Sequence, residues 1–377
     1  MNWLGLLMLR HDRAKFGAMI VAVALAVFLM QNQAAILSSI LLMTASQIRD
    51  VEETNLWVTE PDVECFDQAK PVRDIALHTV RGTPGVAWAM PLLKIDTLAR
   101  TRGGKLSTVC LLGVEDSSLV GLPRRMRLGK AESVRERDTV LIDPGGFSLL
   151  FPGEPPSLGK TIRIHNRTLR VVGISDASPP FTGLPLLHTS RTTAAQLNVA
   201  EERSTTFILA RSKPGEAPDE VCRRIAERTR LRARTTDGFA RDAMWFYGSQ
   251  GVPMLFMVTI AIGLVVGAAI TGQTFLMFVK ENARSLAMLK VVGTTHTQLG
   301  WMMAAQAGLI LFLGSCIGSG LAAAVCELVR QQPFLRGLYL PVWVAVWTCL
   351  SLAIVTGGAV VLSFRQVQRL EPASVFR

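Results

Sequence analysis

Residues 279–299 read VKENARSLAMLKVVGTTHTQL, a short charged-and-apolar segment set between two long apolar runs. The segment cannot cross a membrane, whereas its uncharged flanks are long enough to do so. Asn282 is placed to cap a helix through 283–292, because its side-chain amide satisfies free N–H groups of a first turn. Gly293 then ends that helix by taking left-handed backbone, and Thr295 with Gln298 has the spacing of a capping box for the next one. From Leu286 to Val292 the helix is apolar nearly all round, broken by Lys290. A helix lying on a membrane surface needs only one apolar stripe. The surplus face either packs on neighbouring transmembrane helices or docks another protein, helix in groove.

Outward from this segment, residues 16–47, 251–279, 294–326 and 337–364 contain no Asp, Glu, Lys or Arg. Each is long enough to span hydrocarbon as a helix, so the expectation is four transmembrane helices with a large α+β extracytoplasmic domain between the first two. The boundaries expected are a cytoplasmic amphipathic helix 1–15, a first span with stalk 16–47, the exported domain 48–250 and a second span 251–279. A cytoplasmic segment 280–298, a third span 299–326, a short outer loop 327–340, a fourth span 341–364 and a tail 365–377 follow. Arg10, Arg13 and Lys15, then Lys280, Arg284 and Lys290, then Arg365, Arg369 and Arg377 cluster at three span ends. The lysine and arginine bias puts these ends, and both termini, in the cytoplasm. The first apolar run is about twice a signal-peptide core, so it reads as an uncleaved anchor.

The formal charge of +11 is scattered over membrane flanks and the exported domain, with no basic stripe bearing interleaved aromatics, which argues against nucleic acid. Of six cysteines, Cys316, Cys326 and Cys349 fall in spans and Cys65, Cys110 and Cys222 in the exported domain. Three thiols allow at most one disulfide, and no C-x-x-C spacing marks a metal or redox site. In the exported domain, 71–81 reads as a helix and 82–85 as a turn. Strands are expected at 86–100, 106–114, 139–142, 161–164 and 168–174, and a helix at 217–231 with Val221 and Ile225 on one face. Trp245, Phe246 and Tyr247 precede the second span, where aromatic rings are expected at headgroup level. Within the spans, Gly263 with Gly267 and Gly314 with Gly318 sit at small-xxx-small spacing, which permits close helix approach. Gln273 and Gln306 are polar at membrane depth, and no charged side chain lies mid-span as an ion-coupled carrier needs.

Catalytic signatures are missing from the sequence. GEPPSLGKT at 153–161 has five residues between its glycines where a phosphate-binding loop needs four, and a strand pattern follows it where a helix should start. His11, His78, His165, His188 and His296 show no metal-ligand pairing. Ser148 lacks the second glycine of a nucleophile elbow, and Asp143 with Glu154 reads as a pair of loop carboxylates.

The arrangement resembles the MacB/FtsX-like permease family of ABC transporters (type VII), and within it the DevC-type exporter permeases. Residues 285–293, SLAMLKVVG, are similar to the family's E-x-A-x-L-K-A-x-G helix, and Pro372-Ala373 to its D-P-A ending. Gly85-Val86 with Pro91, and Gly159-Lys160 followed by Arg170-Val171-Val172-Gly173, are similar to motifs of its outer domain. Glu281 stands farther from Leu286 than the family's glutamate does, and Val291 replaces a common alanine. The resemblance implies a non-catalytic permease subunit in the bacterial inner membrane. A separate ABC ATPase would bind ATP and Mg, with no cofactor on this chain, and would dock on Leu286, Met288, Leu289, Lys290 and Val291, with Gly293 shaping the turn. It further implies pairing with a second permease copy, contact with membrane lipid, and a periplasmic adaptor (a membrane fusion protein) leading to an outer-membrane channel. ATP-driven motion would pass to the outer domain and export a lipid, glycolipid or other amphiphile. The alternative is an FtsX-like regulator of an envelope hydrolase or sensor.

Overall fold

The computed structural model describes residues 13–123, 125–198, 205–249, 251–281, 288, 294–330 and 337–368. The expected N-terminal amphipathic stretch before Arg13, the Asn282 cap and the Pro372-Ala373 ending lie outside them. Its first helix, α1 (Arg13–Arg49), is unbroken over 37 residues, about 55 Å at 1.5 Å per residue. It contains no proline, and apart from Gly17 nothing in it opposes helix. The chain forms two compact units, and α1 contributes residues up to Ser39 to one and residues from Ile40 onward to the other.

The exported-type unit contains β1 (Leu56–Thr59), α2 (Asp74–Arg81), β2 (Val86–Thr101), β3 (Leu106–Val114) and β4 (Met126–Gly129). Next come β5 (Thr139–Ile142), α3 (Pro144–Leu150), β6 (Thr161–Ile164), β7 (Arg167–Ser175), β8 (Leu186–Ser190) and α4 (Arg191–Leu197). It finishes with β9 (Phe207–Ser212), α5 (Pro218–Thr229), β10 (Arg232–Thr235) and α6 (Thr236–Ser249). Ten strands of the described residues join one sheet, and the 16-residue β2 holds its two halves together.

The N-terminal half of β2 completes the antiparallel order β10-β1-β9-β2, with Trp57 opposite Leu209 and Leu92 opposite Phe207. Alternate side chains of a strand serve opposite faces. Leu56 and Val58 therefore join Leu77, Val80, Val221 and Ile225 of α2 and α5 in one core. Trp57 joins Phe207 of β9, Phe239 and Ala240 of α6, and Ala45 and Ile48 of α1 in another.

The C-terminal half of β2 begins a closed ring. β2 pairs β3, β3 pairs β8, β8 pairs β5, β5 pairs β7, β7 pairs β6, and β6 returns to β2. Leu93, Val109, Leu111, Val140, Ile142, Ile164, Val171 and Leu187 fill its core together with Phe147 of α3 and Leu197 of α4. β3 is buried on both faces, since Cys110 and Leu112 turn to the aromatic core while Val109 and Leu111 turn to the ring. That explains its continuous apolar run VCLLGV.

The other unit holds α7 (Gly251–Glu281), α8 (His296–Arg330) and α9 (Val342–Gln368) with the first part of α1. Among the described residues, Phe16–Arg49, Pro253–Ile270 and Thr297–Arg330 are long and apolar enough to cross a membrane, and Val342–Gly358 is a shorter apolar helix. The chain is therefore a membrane protein with a folded α+β domain.

Tyr247 departs from the headgroup expectation. It packs against the aromatic core beside Phe246, its ring 4.7 Å from that of Phe181, while Trp245 is 81 % exposed. The reason is a carboxylate partner: the Tyr247 hydroxyl donates to Asp67 Oδ2 at 2.6 Å. Cys65, Cys110 and Cys222 are all buried free thiols, so the one disulfide that three allow is not formed here.

His188 of β8 is 3 % exposed, stands opposite Leu112 and Leu141 in the sheet, and its Nδ1 has no partner among the described residues. Burial pulls its pKa from 6.5 down to about 4. A depressed folded pKa means the neutral ring is favoured. The corresponding stability is complete above pH 6.5 and is lost as pH falls toward 4, by about 3 kcal/mol at the end of that window. His188→Leu should flatten the acid side of the stability curve of the detergent-solubilised protein, measured by thermal melts between neutral and acid pH. An unchanged acid slope would place that loss on other groups.

Candidate functional site

Five of the six proposed docking residues, Leu286, Leu289, Lys290, Val291 and Gly293, lie outside the described residues. Met288 is helical and 47 % exposed. Immediately downstream the capping box forms: Thr295 N donates to Gln298 Oε1 at 3.1 Å and Gln298 N to Thr295 Oγ1 at 3.4 Å. Two otherwise free donors at the start of α8 are thereby satisfied.

All four span glycines face α1. A methyl group added at Gly314 would lie 2.6 Å from Val23 Cγ1 and 3.1 Å from Ile20 O, and one at Gly318 would lie 2.5 Å from Ala24 O and 2.8 Å from Val27 Cβ. At Gly267 it would meet Ala26 Cβ at 2.9 Å, and at Gly263 Met30 Cγ at 3.3 Å. Side chains there would push backbone apart, which is the physical content of small-xxx-small packing. Around this contact Met19, Val23 and Val27 of α1, Met302, Met303 and Ile310 of α8 and Leu352 of α9 form one buried cluster. Of the polar residues at this depth, Gln306 is buried and Gln273 exposed. Gln31 of α1, 0 % exposed, is a third that escapes a reading by charge.

In the exported-type unit, polar contacts fix the ends of α1 and α6. Asp50, just past α1, accepts from Ser178 N at 2.7 Å and Ser178 Oγ at 2.8 Å, and Gln47 Nε2 donates to Ser178 O at 2.8 Å. Burial raises the Asp50 pKa above the ordinary carboxylate value, while the two Ser178 bonds oppose that rise. On α6, Asp242 accepts from Arg234 Nη1 at 2.8 Å, and Arg234 also donates to Val63 O at 2.5 Å and lies 4.4 Å from the Phe239 ring. Lys94 of β2 is buried between Asp96 Oδ2 at 3.1 Å and Asp67 Oδ1 at 3.5 Å. The same Asp67 takes the Tyr247 bond. The loop containing Ser178 and Phe181 thus touches both α1 and α6 inside this unit. Sequence spacing could not pair Asp50 with Ser178 or Tyr247 with Asp67, which stand 128 and 180 residues apart.

Asp143 is a buried helix cap and not a loop carboxylate. It accepts from Gly146 N at 2.9 Å and Leu186 N at 2.7 Å. Glu154 pairs with Lys160, and β6 starts at Thr161, so the 153–161 stretch leads into a strand. Among the described residues no three His, Cys, Asp or Glu side chains gather as a metal site. These contacts hold elements in place, and none of them offers a nucleophile or acid beside a substrate cavity.

Apolar helices long enough to cross a membrane and a ring-and-sheet α+β domain define a membrane protein with a large folded domain. The profile described as MacB-like periplasmic core domain matches residues 16–228, and that described as FtsX-like permease C-terminal matches 257–372. The chain belongs to the MacB/FtsX-like family of ABC transporter permeases. It is 27 % identical over 207 residues to the macrolide export ATP-binding/permease protein MacB of Neisseria gonorrhoeae, covering 53 % of this chain and 32 % of that protein. It therefore spans about a third of the length of the MacB relatives it matches. An ABC transporter permease of Mycobacterium tuberculosis is 23 % identical over 308 residues, covering 81 % of this chain and 79 % of the relative. The periplasmic region of MacB from Actinobacillus actinomycetemcomitans aligns with 14 % identity and a TM-score of 0.38, covering 54 % of this chain and 97 % of that structure.

Gly318→Leu should lower the melting temperature of the solubilised protein by the equivalent of about 1–3 kcal/mol, the usual penalty of overpacking. Gly320→Leu on the same helix, where nothing lies within 4 Å of an added Cβ, should leave it unchanged. Equal effects of the two would show that close approach to α1 is not what Gly318 provides.

Proposed function

We propose that this chain is the permease subunit of an ABC-type export complex that transmits ATP-driven motion to its outer domain. The observation that carries the reading is α1, whose residues between Ile20 and Met30 meet the span glycines while Ala45 and Ile48 belong to the Trp57 core of the exported-type unit. A hydrogen-bonded helix is stiff along its axis, so one element serves both places. In this reading four helices cross the bacterial inner membrane with both termini cytoplasmic. Two permease copies pair, and a separate ATPase subunit binds ATP and Mg and docks on 280–298. The outer domain then engages a periplasmic adaptor and an outer-membrane channel, and drives efflux of a lipid, glycolipid or other amphiphile. Spans without charged side chains support a cargo route that avoids them.

The test is Leu289→Glu in the full chain. A carboxylate in an apolar docking face must be desolvated without a partner, so ATPase retention on purification should drop by about tenfold or more while membrane insertion persists. Retention at the wild-type level would overturn the docking assignment. Purification from native membranes tests the rest: a bound adaptor supports export, and a bound envelope hydrolase or sensor in its place would instead make the chain an FtsX-like regulator.

A further inference from the structure

Gln31 stands at the centre of the uncharged run 16–47 and has no exposed surface. Its Nε2 donates to Ser319 Oγ of α8 at 2.9 Å, and lies 3.4 Å from Ala345 O and 3.5 Å from Cys349 Sγ of α9. An amide has two N–H donors for these three acceptors, so the Ser319 bond is the firm one and the two α9 acceptors share the other proton. Its Oε1 has no partner among the described residues. Burying an amide at that depth is unfavourable unless its position is fixed by something that needs it.

The neighbours show what it fixes. Gln31 is one helical turn beyond Val27, and Ser319 directly follows Gly318, the glycine packed on Val27 and Ala24. The glycine contacts select one stripe of α1 and set its distance from α8, while the surrounding apolar contact is indifferent to small rotations, because α1 is rich in Ala, Val, Leu, Ile and Met on every side and lipid tails are as apolar as its partners. A directed hydrogen bond is not indifferent. Turning α1 by one residue swings the amide about 100° away from Ser319 and takes the buried Gln31 amide off its firm partner. The same logic lets a single polar residue set register in a coiled coil.

We propose that Gln31 is a positioning residue that sets the rotation and depth of α1 against α8 and α9, so that displacement of α8 reaches α1 in one register. The link to ATP-driven displacement rests on the function proposed above; the register itself does not. The double variant Gln31→Leu/Ser319→Ala removes both partners and leaves no orphaned group between them, a change that is often close to neutral for stability. Spin labels on the exposed positions Leu25 of α1 and Leu321 of α8, incorporated as labelled unnatural residues and diluted with unlabelled chain, report register by pulsed dipolar spectroscopy in nanodiscs. The wild type should give one narrow distance. The double variant should keep a near-native melting temperature and yet show a distribution at least about twice as broad, with loss of ATPase stimulation in the assembled complex. A double variant as narrow as wild type would overturn the proposal and reduce Gln31 to packing. If the double variant does not fold, Ser319→Ala alone, which adds no volume, must broaden the distance or the proposal fails. Broadening in these variants together with wild-type ATPase retention by Leu289→Glu would leave the register role standing while removing the docking assignment.

Discussion

Close approach of backbone to backbone at α1 is the constraint on which the membrane unit depends. Two helices in hydrocarbon gain little from covering apolar surface, because lipid covers it equally well. They gain from contacts that lipid cannot match, and glycine supplies these by removing the Cβ that would hold the backbones apart. On α1 the residues that receive these glycines are Val23, Ala26, Val27 and Met30. They are spaced i, i+3, i+4 and i+7 and so form a single stripe. Val23 and Val27 take the glycines of α8, while Ala26 and Met30 take those of α7. One face of one helix therefore organises two others, and Leu352 of α9 joins the same cluster.

The exported-type unit solves a different problem, since water drives its assembly. Trp57, Phe66, Phe207 and Phe239 form a connected aromatic group, with ring centroids of the contacting pairs 5.2 to 6.3 Å apart. Edge-on and offset contacts at such distances add to the burial of the rings themselves. The last turns of α1 and the face of α6 complete this group. Polar bonds then fix orientation where apolar packing alone would leave freedom: Asp50 to Ser178, Arg234 to Asp242, Tyr247 to Asp67. The ions involved are paired or multiply bonded, as buried charge requires. Lys94 sits between two carboxylates for the same reason.

Much of this was legible in the residues, and the exceptions have physical causes. The β2–β3 hairpin announces itself through Arg102-Gly103-Gly104-Lys105 between apolar runs, and Gly104 does take φ +85. The Thr295/Gln298 cap and the helix starting at Pro218 follow from local chemistry and appear where expected. The short strands β1, β8 and β9 carry almost no alternation to read because they are buried on nearly every side, and the four-residue β4 (MRLG) and β10 (RART) contain no valine, isoleucine or aromatic residue to mark a strand. Ring closure by β6 depends on its three-pair register with the far end of β2, which no local signal encodes. The Tyr247–Asp67 bond has no sequence signal, because an aromatic near a span looks the same in sequence whether or not a carboxylate 180 residues away meets its hydroxyl. Gln31 was passed over because it is uncharged, although its partners lie 288 to 318 residues away.

These two ways of holding a helix place different demands on α1. Its outer turns are locked by water-driven aromatic burial and by the Asp50–Ser178 bonds. Its other turns are positioned by glycine contacts along one stripe, which set distance but make no directed bond. In the proposed function, a helix fixed in rotation at one end and held only by undirected contacts at the other would convert a push by α8 partly into twist. A directed bond on the glycine-packed side removes that freedom, and the amide of Gln31 makes such a bond from the middle of the uncharged run. In the function proposed above, where displacement passes along one helix in one register, a buried polar group that is unfavourable in a uniformly apolar bundle becomes useful.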